Sequence, residues 1–171
     1  MSNTLLRTSQ FNPVKDAEDI DIVVDIANAI WHQHYTPIIG QEQVLYMLEK
    51  FHSATAISEQ IEEQNYQYYL IEHQGNNVGY LAIQKRKQEL FLSKIYLLSS
   101  VRGKGIGKQA MEFIKAQAKL LNCDQISLTV NKDNTDSIAA YYKIGFVKTG
   151  EAVFDIGNSF VMDDYLMSLS L

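Results

Sequence analysis

The pattern of apolar and polar positions divides the chain into a helical N-terminal part and a strand-rich remainder. Over Asp16–Ile30, apolar side chains recur every three or four positions among acidic ones. That spacing predicts an amphipathic helix, with Asp16 or Asp19 as its N-cap, ending in the segment Trp31–Pro37. Similar stripes predict a second helix over Glu42–Phe51 and a third around Ala56–Ile61.

The remaining segments have the period and the turn residues of strands. The predicted strands are Thr4–Ser9, Tyr66–Glu72, Val78–Gln84, Leu90–Leu98, Gln125–Val130, Val147–Phe154 and Ser159–Leu169. Leu90–Leu98 is apolar except for Ser93 and Lys94, so we expect this strand to be buried on both faces. Lys94 is expected to lie at the rim of a site or to extend its ammonium group to solvent.

The order of these elements is not the regular alternation of a doubly wound sheet. One strand and three helices precede an antiparallel meander, which is followed by helix, strand, helix and two strands. We predict an α/β protein of the α+β type, with a mixed, mostly antiparallel sheet and helices on both faces. The 171 residues, 46% of them hydrophobic, suit a single domain over residues 1–171.

Three glycines alternate with other residues directly after the Leu90–Leu98 strand. They are Gly103, Gly105 and Gly107, and the apolar stripe of a helix up to Leu121 follows them. A glycine turn at a helix N-terminus presents unpaired N–H groups and the positive end of the helix dipole, which together suit a pyrophosphate. Positive charge is added by Arg102, Lys104 and Lys108.

Two phosphate-binding motifs fit this loop poorly. A Walker A loop needs Ser or Thr after Gly107–Lys108, where the chain has Gln109. A dinucleotide fingerprint fits literally as Gly105-x-Gly107-x-x-Ala110, but too little sequence follows for the further βα units of a Rossmann domain.

A third motif, R-x-x-G-x-G, spans Arg102–Gly107 and is followed at a fitting distance by a second motif. The second motif joins a short strand to a helix and contains Val130, Asn131, Asn134, Ser137, Ile138, Tyr141, Gly145 and Phe146. Together the two motifs closely resemble the acyl-CoA loop and the following segment of the GNAT superfamily of N-acetyltransferases. The resemblance is clear from Tyr68 to Phe146.

The resemblance implies a GNAT-like fold in which two central strands splay apart and acetyl-CoA enters the gap. In that family the first splayed strand pairs with the pantetheine arm, which here implicates Ile95, Tyr96 and Leu97. The pyrophosphate would be held, beside Arg102, by the main-chain N–H groups of Gly103, Lys104, Gly105, Ile106, Gly107 and Lys108. By the same analogy Asn131 and Asn134 contact the cofactor, and Tyr141 protonates the departing thiolate.

The sequence leaves the general base and the acceptor open. Glu89, His32, His34, Asp163, Asp164 or water could act as base. The C-terminal strand resembles those of PaiA-type spermine/spermidine acetyltransferases. This resemblance favours a small amine as the acetyl acceptor, and in particular a polyamine. Tyr35, Asp163 and Asp164 are the candidate acceptor residues, although strand alternation makes the two aspartates face opposite ways. The alternatives are a peptide or amino-acid amine, or a non-catalytic acyl-CoA-binding module.

Composition sets further expectations. A net charge of −5 argues against nucleic-acid binding and mildly favours a cationic acceptor. No apolar run is long enough to predict a membrane span, and the N-terminal segment MSNTLLRTSQFN lacks the basic region and apolar core expected of a signal peptide. The single cysteine and the absence of a third ligand near His32 and His34 argue against a metal site. We expect a cytoplasmic enzyme, and we allow for a homodimer.

Overall fold

The computed structural model describes residues 8–171. Most of the strand predicted at Thr4–Ser9 lies outside the described residues, and the first strand found begins at Gln10. The elements are β1 (Gln10–Pro13), α1 (Ala17–His34), α2 (Thr36–Ile39), α3 (Gln41–His52), α4 (Ala54–Glu63), β2 (Tyr66–His73), β3 (Asn76–Arg86), β4 (Glu89–Leu97), α5 (Ile106–Leu120), β5 (Gln125–Asn131), α6 (Thr135–Ile144), β6 (Val147–Gly157) and β7 (Phe160–Ser170).

The first helix starts and ends where the sequence predicts. The Asp16 side chain accepts a hydrogen bond of 2.9 Å from the N–H of Asp19, which makes Asp16 the N-cap. The helix continues to His34, and Pro37 lies in the first turn of the short α2. Proline is tolerated there because a first-turn N–H has no intrahelical partner.

The sheet has seven strands in the order β1-β2-β3-β4-β5-β7-β6. Every neighbouring pair is antiparallel except β4 and β5, which are parallel. That parallel pairing covers only Glu89–Phe91 against Gln125–Ser127. Beyond these residues the two strands separate, so the expected splay of the central strands is present.

A β-bulge at Ser93 divides β4 into two halves. Ala82 of β3 pairs with Lys94 and Ile83 pairs with Leu92, which leaves Ser93 as the extra residue. The bulge changes the face to which the following side chains point: Leu92 packs in the core under α5, whereas Lys94 points to the opposite layer. The expectation that this strand is buried on both faces was wrong, because alternate side chains are only half-buried.

The helices form one layer on each face of the sheet, as predicted. One apolar core lies beneath α5, and α6 packs against it through half-buried side chains. The other core joins α1, α3 and α4 to the opposite face. Within residues 8–171, none of the helices combines the length and the apolar character needed to cross a membrane.

Backbone contact fixes β4 against β3. A Cβ at Gly79 would stand 2.2 Å from the carbonyl oxygen of Tyr96, closer than any side chain tolerates. The two strands are also paired over the whole length of β4. Glycine at position 79 therefore allows the splayed half of β4 to stay firmly paired on its outer side.

Lys94 is buried rather than extended to solvent, contrary to expectation. Its ammonium group donates to the carbonyl oxygen of Phe51 at 2.6 Å, to Oε1 of Gln60 at 3.1 Å and to the hydroxyl of Tyr68. Burial lowers the pKa of Lys94 from 10.5 to about 7. The three acceptors compensate the lost hydration, so Lys94 ties β4 to the segment around α3 and α4.

We expect Lys94→Ala to destabilise the fold by about 2–4 kcal/mol, because it opens a cavity and removes the donor to Phe51 and Gln60. Lys94→Met, which restores most of the volume but no donor, should lie between alanine and wild type. Urea unfolding at pH 7, followed by circular dichroism, measures the change. The control Lys119→Ala, at an exposed position of α5, should stay within about 0.5 kcal/mol. A loss below about 1 kcal/mol for Lys94→Ala would contradict this role.

Candidate active site

A cavity of about 380 Å³ fills the space where β4 and β5 separate. Its walls come from the second half of β4, the end of β5, the C-terminal part of α1, the start of α6 and the middle of β7. The cavity exists because the parallel pairing stops at Phe91 and Ser127. The side chains that line it come from segments far apart in sequence.

The edge of β4 that faces the cavity is open. Ile95, Tyr96 and Leu97 pair with β3 on one side, and the pairing with β5 ends before them. An extended amide chain could therefore add to this edge in the manner of another strand. This is the backbone that the sequence predicts for the pantetheine arm.

The glycine loop leads from β4 into α5. Gly103 and Gly105 have φ values of +78° and +80°, in the left-handed region that favours glycine. Gly105 is the N-cap of α5 and no side chain caps the helix, so its first N–H groups are free of intrahelical acceptors. Nothing lies within 4 Å of the place where a Cβ of Gly105 would stand. The loop is thus an open cradle of N–H groups at a helix N-terminus.

The residues around the cradle differ in what they can contribute. Arg102 lines the cavity, and Lys108 lines a separate groove between α5 and α6. Lys104 is exposed. The side chain of Ile106 is buried in the core at 1% exposure, so only its main chain can face a ligand.

The groove between α5 and α6 has a volume of about 660 Å³. Three lysines line it: Lys108, Lys115 and Lys143. Lys115 and Lys143 were missed by sequence reasoning. Lys108 and Lys115 are two helical turns apart and share a face of α5. That spacing could have indicated Lys115 from the sequence.

Tyr141 lies where the cavity and the groove meet, since it lines both. Its ring packs edge-on against Phe146, with ring centroids 5.6 Å apart. Burial raises the pKa of Tyr141 well above 10, with a further contribution from Tyr35. The phenol therefore carries its proton at neutral pH.

The two asparagines predicted to contact the cofactor have hydrogen-bond partners within the protein. Oδ1 of Asn131 accepts a hydrogen bond of 2.8 Å from the N–H of Asp133, and Asn131 also lines the cavity. Asn134 is 4% exposed; its Nδ2 donates to the Tyr35 hydroxyl at 3.3 Å, and its Oδ1 lies 3.3 Å from Nε2 of His34. Asn134 thereby joins the start of α6 to the end of α1 across the cavity.

Aromatic rings form the α1 side of the cavity. Trp31 stacks on Tyr35 with ring centroids 4.2 Å apart, and Tyr96 meets Trp31 edge-on at 5.7 Å. Burial raises the pKa of Tyr35 to about 12, with smaller effects from neighbouring groups, including Asp164. Tyr35, predicted as an acceptor residue, thus lines the cavity as a neutral phenol.

Asp163 and Asp164 point to opposite sides of β7. Asp164 is 1% exposed and lines the cavity. Oδ1 of Asp163 pairs with the ammonium group of Lys132 at 2.9 Å, and its side chain is 52% exposed. Asp163 does not line the cavity, so its prediction as an acceptor residue is corrected: the alternation of the strand turns it outward.

The Asp164 carboxylate has no internal partner. Among residues 8–171, neither of its oxygens accepts a hydrogen bond, although both are buried. Burial raises the pKa of Asp164 from 3.8 to about 6, and the charge of Asp163 adds to this rise. The nearby Thr129 side chain lowers this pKa, although it does not complete a hydrogen bond to either carboxylate oxygen. An unpaired buried carboxylate is costly and therefore uncommon, which makes Asp164 a candidate functional residue.

Comparison with known proteins places the chain in a family. Residues 25–146 match the model of the Acetyltransferase (GNAT) family, and the chain belongs to that family. It is similar to an uncharacterised N-acetyltransferase of Mycobacterium tuberculosis, with 25% identity over 150 residues, which cover 87% of this chain and 96% of the relative.

Solved structures agree on the fold. The PaiA N-acetyltransferase from Thermoplasma acidophilum, in complex with coenzyme A, has a TM-score of 0.76 at 18% identity over 96% of this chain and 99% of that one. A spermidine N-acetyltransferase chimera made in part from the Vibrio cholerae protein has a TM-score of 0.67 at 17% identity over 95% of each chain. The protein is accordingly an acetyltransferase that uses acetyl-CoA, and the open β4 edge and the glycine cradle suit that cosubstrate.

We expect Gly107→Val to weaken acetyl-CoA binding more than about tenfold, the equivalent of one charge-assisted hydrogen bond of about 1.5 kcal/mol. Gly107 lies in the first turn of α5 without a positive φ, and only Leu97 comes near its Cβ position, at 4.0 Å. The branched side chain should therefore hold phosphates off the cradle without straining the loop. Isothermal titration calorimetry of wild type and variant measures the affinity.

The matched control is Gly150→Val in β6, outside the cleft. It should leave acetyl-CoA affinity unchanged. If Gly107→Val bound acetyl-CoA as tightly as wild type, the cradle would not be the phosphate site.

Proposed function

We propose that the protein transfers the acetyl group of acetyl-CoA directly to a primary amine, with Tyr141 as general acid. The observation that carries this proposal is the position of Tyr141, which lines both the cavity and the groove beside the cradle. A thioester that extends from the groove past Tyr141 would present its sulfur near the phenol. The amine would approach from the cavity.

The parts of the site then have separate roles. The N–H groups from Gly103 to Lys108 would bind the pyrophosphate, and Arg102, Lys104 and Lys108 would neutralise its charge. The open edge of β4 at Ile95–Leu97 would bind the pantetheine amides. Asn131 and Asn134, which both line the cavity, would contact the cofactor.

Acetyl-CoA supplies an activated acyl group, so no covalent intermediate with the enzyme is needed. The protein's contribution is to hold amine and thioester together and to exclude water, which accounts for much of the rate in such reactions. A main-chain N–H near Leu97 can stabilise the oxygen of the attacked carbonyl. Tyr141 donates its proton to the sulfur as the C–S bond breaks.

Tyr141→Phe tests this role, because it keeps the ring and its packing on Phe146 and removes the proton. We expect kcat to fall by about 10²–10⁴-fold with little change in the affinity for acetyl-CoA. Thiol release, measured with a chromogenic disulfide, gives the rate, and calorimetry gives the affinity. Tyr142→Phe is the control, since Tyr142 is half exposed and lines neither space. Equal turnover in Tyr141→Phe and wild type would remove Tyr141 from the mechanism.

We further propose that the acceptor is a small cationic amine of the polyamine type, such as spermidine. Rings of Trp31, Tyr35 and Tyr96 line the cavity, and aromatic faces attract ammonium groups. Two carboxylates line the same cavity, Asp164 at its interior and Asp136 at the start of α6. A molecule with two ammonium groups could therefore meet a carboxylate at each.

Charge and fold support the same acceptor. The chain carries a net charge of −5, which favours cations over acidic acceptors. PaiA and the spermidine N-acetyltransferase chimera share the fold over nearly the whole chain. Their low identity extends the likeness to the fold alone, so the cavity lining is the stronger support.

A panel of amines tests the acceptor. We expect kcat/KM for spermidine to exceed that for n-butylamine by at least about tenfold, because the second ammonium group adds a charge-assisted contact of about 1.5–3 kcal/mol. Asp136→Asn should reduce this preference, whereas Asp163→Asn, on the outer face of β7, should not. Preference for peptides or amino acids over polyamines would overturn the acceptor and leave the acetyltransferase assignment intact.

A further inference from the structure

We infer that Asp164 is the group that takes the proton from the acceptor amine. The inference rests on the proposed function, amine acetylation in the cavity between β4 and β5, and assigns the general base of that reaction. It depends on the position and surroundings of one carboxylate, not on which amine is the acceptor.

Position is the first argument. Asp164 pairs in register with Asn131, at the end of β5 where the strands have separated. Its side chain lines the cavity that Tyr141 and the open edge of β4 also line. An amine nitrogen in this cavity can therefore face the carboxylate, the thioester and the phenol together.

The absence of internal partners is the second argument. Asp164 is 1% exposed, and among residues 8–171 neither carboxylate oxygen has a hydrogen-bond donor. A carboxylate that served only the fold would be expected to have such partners. Here both oxygens are left for a donor that enters the cavity, and an amine brings N–H groups.

The other candidate bases are placed unfavourably. Glu89 lies at the opposite end of β4, where this strand still pairs with β5. His32 is exposed and does not line the cavity. Asp163 points outward to Lys132.

His34 lines the cavity but faces Asn134, with Nε2 3.3 Å from Oδ1. Of the three carboxylates considered from the sequence, Asp164 is the one that lines the cavity, and its oxygens have no hydrogen-bond donor among residues 8–171.

Several titratable or charged groups line the cavity with Asp164 and bear on its pH dependence. They are His34 and Tyr35 at the end of α1, Tyr96 on β4, Arg102 in the loop, and Asp136 and Tyr141 on α6. Asp163 acts on Asp164 from the outer face of β7 through its charge. Burial keeps the three phenols neutral at physiological pH. Since the pKa of Asp164 is raised to about 6, its carboxylate form dominates above that pH and is lost below it.

The nitrogen loses two protons in each transfer. Asp164 takes one proton from the ammonium group, and the freed lone pair forms the C–N bond while the C–S bond breaks. The sulfur takes the proton of Tyr141, and the second proton of the nitrogen restores the phenol. Asp164 then releases its proton to solvent, so each transfer yields one amide, one thiol and one proton.

The dependence of kcat/KM on pH tests the inference, with spermidine and, separately, with n-butylamine as acceptors. Wild type should show a plateau between about pH 6.5 and 9, because ionised Asp164 accepts the proton of a charged amine whose own pKa is about 10. Asp164→Asn should be about 10²–10⁴-fold slower at pH 7 and should gain tenfold per pH unit across that range, because it must wait for neutral amine. Asp163→Asn should reproduce the wild-type profile.

Two kinetic outcomes would overturn the inference. A wild-type kcat/KM that itself rises tenfold per pH unit would mean that the amine arrives already neutral. A constant loss in Asp164→Asn at every pH would mean that Asp164 only attracts the cation. Failure of the polyamine proposal alone would appear differently, as turnover of n-butylamine at least as efficient as that of spermidine, with the pH profiles unchanged.

A direct titration adds a readout that needs no turnover. The carboxyl carbon of Asp164, followed by NMR in protein labelled with ¹³C-aspartate and assigned by its loss in Asp164→Asn, should titrate near pH 6. A midpoint near 4 would overturn the inference, because the carboxylate would then have an ordinary solvated environment.

Discussion

The short parallel pairing between β4 and β5 is the constraint on which the rest of the site depends. It covers only Glu89–Phe91 against Gln125–Ser127. Longer pairing would close the cavity and consume the edge of β4 at Ile95–Leu97. The bulge at Ser93 lies just beyond the last paired residue and changes the face to which the following side chains point. The separation of the two strands, the open edge of β4 and the cavity are therefore consequences of one interruption in the sheet. The helices α5 and α6 lie on either side of this interruption.

Two buried ionisable side chains illustrate how the fold and the site use charge differently. Lys94 has three acceptors around its ammonium group, which joins β4 to residues of the α3–α4 region. Asp164 has no donor among the described residues and lines the cavity. Both are desolvated, and desolvation moves each pKa toward neutrality. The difference lies in the partners: a satisfied group contributes to structure, whereas an unsatisfied one is available to a ligand.

The sequence predicted those features that depend on local chemistry. Gly103 and Gly105 do have positive φ, the helix that follows does begin at the loop, and Asp16 does cap α1. Features that depend on packing between distant segments were not predictable. Lys94 is buried because α3 and α4 supply acceptors from far along the chain. Asn134 meets His34 and Tyr35, which lie 100 and 99 residues before it, and no local pattern predicts these contacts. Alternation along β7 correctly separated Asp163 from Asp164 but could not tell which one faces the cavity.

Gly79 has a mechanical consequence for the cleft. Its contact with the Tyr96 carbonyl and the pairing of β3 along all of β4 make that half of the sheet one stiff plate. On the far side, β5, β7 and β6 form a second plate. Three residue pairs link the two plates, where Glu89–Phe91 lies beside Gln125–Ser127. The open edge of β4 and Asp164 therefore belong to different plates, which the sheet joins at one end of the cavity.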